Sequence, residues 1–147
     1  MIKIAALDVY GTMLCSDDGD WSFPPRRGLE EFLDECRKRK IIVATSSDED
    51  TDAVKRDLGI AFGLVPERGL DIEGFDGFFR LEHPPNCGKD YSLIIGHYDI
   101  VPSELLVVDD RAEHIFSALR LGCCAIHCPE YKTKSGREWD FSMIKIA

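Results

Sequence analysis

No apolar run in this sequence of 147 residues approaches the roughly 18 positions that cross a bilayer, which argues against a membrane-spanning segment. A surplus of positive charge is also missing: 18 lysines and arginines stand against 27 aspartates and glutamates, for a formal net charge of -9. Affinity for a phosphate backbone comes from lysine and arginine displacing counterions, so the composition argues against a nucleic-acid partner. The first residues lack a signal-peptide pattern, and the expected location is cytoplasmic. Nor is there a framework of paired cysteines. The six present (Cys15, Cys36, Cys87, Cys123, Cys124 and Cys128) are scattered among periodic apolar segments and read as reduced thiols. Cys123, Cys124, His127 and Cys128 are close enough in sequence to invite a zinc reading. They lie in a strand-like run, however, where alternate side chains point to opposite faces, and zinc is not the expectation.

What is present is the mixture of an ordinary soluble globule, 44% hydrophobic and 31% charged, over a length that suits one domain, 1–147. The run from Ile2 to Leu7 is apolar on successive positions, as in a strand covered on both faces, and it stops on Asp8 with Gly11 beyond. Leu29, Phe32, Leu33 and Cys36 repeat at three and four, which predicts a helix from Arg27 to Arg39. Ile41 to Ala44 reads as a second strand ending in Thr45, Ser46 and Ser47. The next helix, capped by Ser47 or Asp48, carries Ala53, Val54 and Leu58 inward and stops at Gly59. A third strand is expected between Ile60 and Pro85, where apolar pieces (Phe62 to Val65, Phe78 to Leu81) are broken by Gly69, Gly74 and Gly77. Lys89 opens a helix that reaches Tyr98, and Leu105 to Val108 is a buried strand ending on Asp109 and Asp110. Ile115, Phe116, Ala118, Leu119 and Leu121 read as one helix face closed by Gly122, Cys123 to His127 as the last strand, and Trp139, Phe141 and Ile144 as a tail packed on the sheet. Alternating strands and helices predict a single Rossmann-like α/β domain, a parallel sheet flanked by helices with right-handed crossovers and no large cap domain. Met-Ile-Lys-Ile-Ala occurs at 1–5 and again at 143–147, too short to be a structural repeat.

In open parallel sheets, ligands bind in the crevice outside the carboxyl ends of the strands, where Asp8 falls. Acidic residues follow the first strand (Asp17, Asp18, Asp20) and the second (Asp48, Glu49, Asp50, Asp52). Gathered at one end of the sheet, they would repel a bare anion and attract a divalent cation; the second group equally suits a solvated helix start. Each polar strand end also has a plain reading. Asp109 and Asp110 suit the cap of the next helix, Thr45 a turn, and Lys89 a solvated position.

Taken in order, Asp8-Val9-Tyr10-Gly11-Thr12, the strand-end Thr45, the lysine Lys89 and the pair Asp109-Asp110 resemble the four motifs of the haloacid dehalogenase superfamily. The resemblance covers nearly the whole chain. Val107-Val108-Asp109-Asp110-Arg111, running on to Leu121-Gly122-Cys123, is similar to the small capless branch that includes magnesium-dependent phosphatase-1. It implies a hydrolase in which Asp8 attacks a phosphoryl group and forms an aspartyl-phosphate, with Thr45 and Lys89 as its catalytic partners. It implies further that Thr45, Ser46 and Lys89 bind the substrate, and that Mg2+ is held by Asp8, Asp109, Asp110 and the backbone carbonyl of Tyr10. The chemistry is coherent: two anions must meet for that attack, so a metal ion and an ammonium are needed to compensate them. The implied substrate is a phosphorylated small molecule or a phosphoprotein.

One position departs from the pattern. Superfamily phosphatases carry a second aspartate two residues after the nucleophile, to protonate the leaving group; here the residue is Tyr10. Tyrosine, with an ordinary pKa of about 10, is a poor base near neutrality, and general acid-base help is worth roughly 100 to 10,000-fold. The resemblance therefore also fits a degenerate member that binds metal or a phosphorylated ligand and turns over poorly. Tyrosine followed by Gly-Thr is similar to the 2-haloacid dehalogenases as well, but their helical cap has no room in the 33 positions from Thr12 to Thr45 or the 44 from Thr45 to Lys89. A capless site lies open, which suits a bulky substrate or a cover supplied by the neighbouring subunit of a homo-oligomer.

Overall fold

The computed structural model describes residues 1–63 and 74–146. Strands β1 (Ile4–Leu7), β2 (Ile42–Thr45), β3 (Gly77–Phe78), β4 (Leu105–Asp109) and β5 (Cys124–His127) form one sheet in the order β3-β2-β1-β4-β5, with every pairing parallel. Helices α1 (Leu29–Lys38), α2 (Thr51–Ala61), α3 (Ser92–Tyr98) and α4 (Ala112–Leu121) flank it, giving the Rossmann-like α/β architecture.

The unbroken apolar run of β1 is buried on both faces because alternate residues enter different cores. Ala5 and Leu7 join a cluster with Leu29 and Phe32 of α1, Val54 and Leu58 of α2, and Phe141 and Ile144 of the tail. Ile4 and Ala6 join a second cluster with Ile94 of α3 and Ile115 and Ala118 of α4. The central register puts Leu7 beside Thr45 on one side and Val108 on the other. Asp8, Ser46 and Asp109 therefore emerge together at one end of the sheet, where Asp8 N donates to the Val108 carbonyl and Ser46 N to that of Leu7.

Several boundaries differ from the sequence reading. Helix α2 is capped by Asp50, whose carboxylate accepts from Ala53 N at 3.2 Å, rather than by Ser47 or Asp48; it runs past Gly59, and Ala53 is only half-buried. Ser47 is held at the strand end instead, its hydroxyl accepting from Glu49 N. Lys89 lies in a loop before α3, which begins at Ser92. On α4 the inward residues are His114, Ile115 and Ala118, whereas Phe116, Leu119 and Leu121 are exposed. At about 100° per residue, the five apolar positions grouped from sequence cover too wide an arc to share one face. The third strand falls within its expected window but is two residues long, and residues 64–73 of that window, Gly69 among them, lie outside the described residues. The two copies of Met-Ile-Lys-Ile-Ala differ in structure: Ile4 and Ala5 start β1, while Met143 ends a short 3-10 turn (Phe141–Met143) and Ile144 is buried beyond it. No helix among the described residues is long and apolar enough to cross a membrane.

Candidate active site

Asp8, 7% exposed, lies just beyond β1 and shares a cleft of about 510 Å³ with Lys89, Asp110, His114, Tyr10 and Trp21. The Lys89 ammonium, buried beneath it, donates to Asp8 Oδ1 at 2.9 Å and to Asp109 Oδ2 at 2.8 Å. Burial works against the charge on Lys89, yet Asp8 and Asp109 together hold its pKa above the ordinary lysine range. The backbone around it is fixed by α4, since Lys89 N donates to His114 Nδ1 and the Lys89 carbonyl accepts from Ser117 Oγ. Gly88 permits this approach: a Cβ there would lie 2.4 Å from the Glu113 carbonyl oxygen and Ser117 Cβ.

Asp109 is fully enclosed. Its Oδ2 receives Lys89 and a long contact from Tyr91 OH (3.5 Å), and its Oδ1 accepts from Arg111 N at 3.0 Å. Burial and the neighbouring Asp8 charge push its pKa up to about 6 despite Lys89. Asp110 has fewer donors, and burial, with Asp8 and then Asp109 beside it, pushes it up to about 8. The Thr12 hydroxyl sits 3.2 Å from both Asp8 Oδ2 and Asp110 Oδ1. One hydroxyl hydrogen serves one carboxylate at a time, so the second contact calls for a shared proton or a cation. Gly11, at φ 86°, leaves the space Asp110 occupies, because a Cβ would fall 2.6 Å from Asp110 Oδ2.

Asp8, Asp109 and Asp110 each offer an oxygen within 4.8 Å of the others, the one such group of three among the described residues. Six-coordinate magnesium, bound at 2.0–2.1 Å, spans about 3 Å between adjacent oxygens and about 4 Å between opposite ones, so carboxylate oxygens up to 4.8 Å apart would draw in by at most about 2 Å to hold it. All the donors are hard oxygens, and three carboxylates outnumber the single ammonium. Asp109 is the most committed of the three, which leaves Asp110 the freer ligand. The Tyr10 carbonyl accepts no hydrogen bond among the described residues and is likewise available. The zinc reading finds no support, since Cys123 and Cys128 are buried and Cys124 exposed.

Thr45 and Ser46 are buried next to Asp8 but do not line the cleft; Ser47 does. The Thr45 and Ser46 hydroxyls have no hydrogen-bond partner among the described residues. Buried orphans of that kind point to a group that arrives later. Tyr10 faces a different partner from the one its position implies. Its hydroxyl donates to Asp57 Oδ2 at 2.5 Å, and burial together with that carboxylate raises its pKa above the ordinary tyrosine value. Of the acidic residues, Asp48 and Glu49 line the cleft, but Asp17, Asp18 and Asp20 do not. Asp17 is bonded to Cys15 and Thr133, and Asp18 ties up its own loop.

Sequence reasoning missed Thr12, Ser47, Asp57, His114 and Arg26. His114 is 1% exposed, and burial, then Lys89, lowers its pKa to about 4, leaving a neutral imidazole that accepts from Lys89 N. Arg26, 2% exposed, donates to the carbonyls of Gly11, Thr12, Pro129, Gly136 and Trp139, and its guanidinium lies between the rings of Tyr131 and Trp139. It anchors the loop that follows Asp8. Only Thr12 had a local signal, four residues after Asp8.

The five-stranded parallel sheet with its flanking helices matches the fold of solved haloacid dehalogenase-like hydrolases. One similar structure is CbbY from Rhodobacter sphaeroides in complex with xylulose-1,5-bisphosphate, with TM-score 0.67 and 16% identity over 97% of this chain and 92% of that one. Another is L-2-haloacid dehalogenase from Xanthobacter autotrophicus with chloropropionic acid covalently bound (TM-score 0.63, 15% identity, 87% and 78% covered). A third is the N-terminal part of a Bacteroides fragilis protein containing a phosphatase domain complexed with Mg (TM-score 0.63, 20% identity), where 88% of this chain matches 37% of that one. No protein-family model and no curated relative matches the sequence.

Proposed function

We propose that this chain is a haloacid dehalogenase-like hydrolase of the capless kind, a magnesium-dependent phosphatase with Asp8 as nucleophile. The observation that carries this reading is the convergence of Asp8, Asp109 and Asp110 on one point, with the Lys89 ammonium bonded to two of them. A carboxylate oxygen of Asp8 attacks phosphorus, the bond to the leaving oxygen breaks, and an aspartyl-phosphate forms. Water then attacks that phosphorus, releasing inorganic phosphate and restoring Asp8. Lys89 holds Asp8 in place and offsets charge as the two anions meet. Thr45 and backbone amides near Ser46 would donate to the phosphoryl oxygens at the strand end where Ser47 meets the cleft. A magnesium ion held by Asp8, Asp110, Asp109 and the Tyr10 carbonyl would neutralise phosphoryl charge. Substrates are phosphorylated small molecules or phosphoproteins reaching an open cleft.

The hydrogen bond from Tyr10 to Asp57 favours a second reading, a protein that binds metal and a phosphorylated ligand with little turnover, because that hydroxyl is turned to another partner. The test is magnesium-dependent phosphate release from acetyl phosphate and p-nitrophenyl phosphate, with Asp8→Asn abolishing it. If the unmutated protein binds magnesium yet releases no phosphate, the second reading replaces the first.

A further inference from the structure

Part of the wall of the Asp8 cleft is aromatic. Tyr10 packs on Trp21 with ring centroids 5.0 Å apart, and both line the cleft. The Tyr10 ring is tied through its hydroxyl, and the Trp21 backbone is held in place. The Tyr10 hydroxyl is tied to Asp57 Oδ2, while Asp57, 4% exposed, is held on its other oxygen by Arg56 Nε at 3.1 Å. Trp21 adopts φ 53°, a left-handed conformation that a bulky side chain rarely takes without being held there. Asp18 holds it: the carboxylate accepts from Asp20 N, Ser22 Oγ and Phe23 N, and the carbonyl accepts from Trp21 N. This loop stores backbone strain and presents an indole beside the nucleophile.

The residue two positions beyond Asp8 offers no proton to a departing oxygen, and the groups bonded around the nucleophile are already engaged. Tyr10 gives its hydrogen to Asp57, Lys89 is bonded to Asp8 and Asp109, and His114 is buried with Nδ1 taken by Lys89 N. Asp110 belongs to the cation in the reading above.

We infer that the substrate is an aryl phosphate, a phosphate monoester whose aromatic ring lies against Trp21 and Tyr10 and whose oxygen leaves as an aryloxide. The inference rests on the phosphatase reading of Asp8. As the Asp8 oxygen bonds to phosphorus, the aryl oxygen–phosphorus bond breaks. Its electron pair stays on the aryl oxygen, which needs no proton until it has departed into water. A simple alkoxide leaving group would need that proton in the transition state.

The experiment compares kcat/KM, with magnesium, for 2-naphthyl phosphate, phenyl phosphate, acetyl phosphate (activated but without a ring) and glycerol 2-phosphate. The aryl esters exceed glycerol 2-phosphate by at least about 100-fold. Trp21→Ala lowers the naphthyl-to-acetyl ratio about tenfold, mainly through KM. A readout independent of turnover is tryptophan fluorescence in a Trp139→Phe background, where a naphthyl phosphonate quenches Trp21 and an alkyl phosphonate does not. A ratio unchanged within twofold in Trp21→Ala, or equal binding of the two phosphonates, overturns the inference. Quenching without phosphate release refutes the phosphatase reading and leaves the ring platform standing; release without ring preference does the reverse.

Discussion

Replacing Lys89 by methionine removes the charge and keeps most of the volume, so it isolates what the ammonium does. Lys89 is 1% exposed and lies within 2.9 Å of two carboxylates that are themselves buried. Removing one partner of a buried ion pair costs about 3–5 kcal/mol, because the remaining charge has no water to return to. For a chain of this size that corresponds to a fall in Tm of about 6–20 °C at pH 7.5 without metal. The loss also depends on pH. Asp109 and Asp110 have folded pKa values above the ordinary carboxylate range, and removing the ammonium beside Asp109 raises its value further, so in the variant the folded state binds more protons and stability recovers as pH falls from about 8 towards 4. The unmutated protein shows the same trend more weakly, because Lys89 holds the Asp109 pKa down. Its raised lysine pKa contributes stability fully below the ordinary lysine range, and loses it only at higher pH. Thermal denaturation of both proteins at pH 5, 6.5 and 8, with and without magnesium, measures this. A loss below about 1 kcal/mol, or parallel pH profiles for the two proteins, would refute the account of Lys89 as the cation that balances the site.

Asp110→Asn reports on the surplus of negative charge. Its pKa of about 8 means that ionising Asp110 destabilises the metal-free fold as pH rises from about 4 to 8. The variant is therefore more stable than the parent at pH 8 without metal, by about 1–3 kcal/mol, and gains less from magnesium; an equal gain in calorimetry would contradict its role as ligand. Arg26→Lys cannot reproduce a fork of bonds to five carbonyls and loses about 3–5 kcal/mol in urea denaturation, whereas a loss below about 1 kcal/mol would show those bonds to be incidental. Tyr10→Asp supplies a candidate acid and raises kcat on glycerol 2-phosphate by about 100-fold, more than on phenyl phosphate; equal effects on both would place the limitation elsewhere.

The strand-end carboxylates were legible because strands buried on both faces read as unbroken apolar runs, and an acid that ends such a run stands out. Asp8 and Asp109 come from the central strands β1 and β4, where that signal is strongest. The two-residue β3 gave almost none. Lys89 was legible by type but not by setting, since its loop is fixed by His114 and Ser117 of α4, contacts no local pattern reveals. Tyr10 was visible as a departure, but its partner Asp57 lies 47 residues away. Arg26 was invisible for a general reason: arginine is mostly exposed, and a buried one is known only by the carbonyls around it. Asp17 and Asp18 were read as free charge because a run of acids shows its sign in the sequence and not its hydrogen bonds.

The charge balance also bears on dehalogenation. A 2-haloacid brings one negative charge on its carboxylate, and halide departs without a proton, so that chemistry tolerates Tyr10 as readily as aryl phosphate cleavage does. It gives no reason, however, to gather Asp109 and Asp110 beside Asp8. With one ammonium against three carboxylates, the site would carry two uncompensated charges once all three are ionised, and Asp48, Glu49 and Glu130 also line the cleft. A divalent cation among the carboxylates would remove that excess and would make the same cluster a seat for a dianionic phosphoryl group. Chloride release from a 2-chloro acid without metal, at a rate unaffected by Asp110→Asn, would reverse this ordering. The surplus of carboxylates would then be a cost the fold carries, with no part in the chemistry.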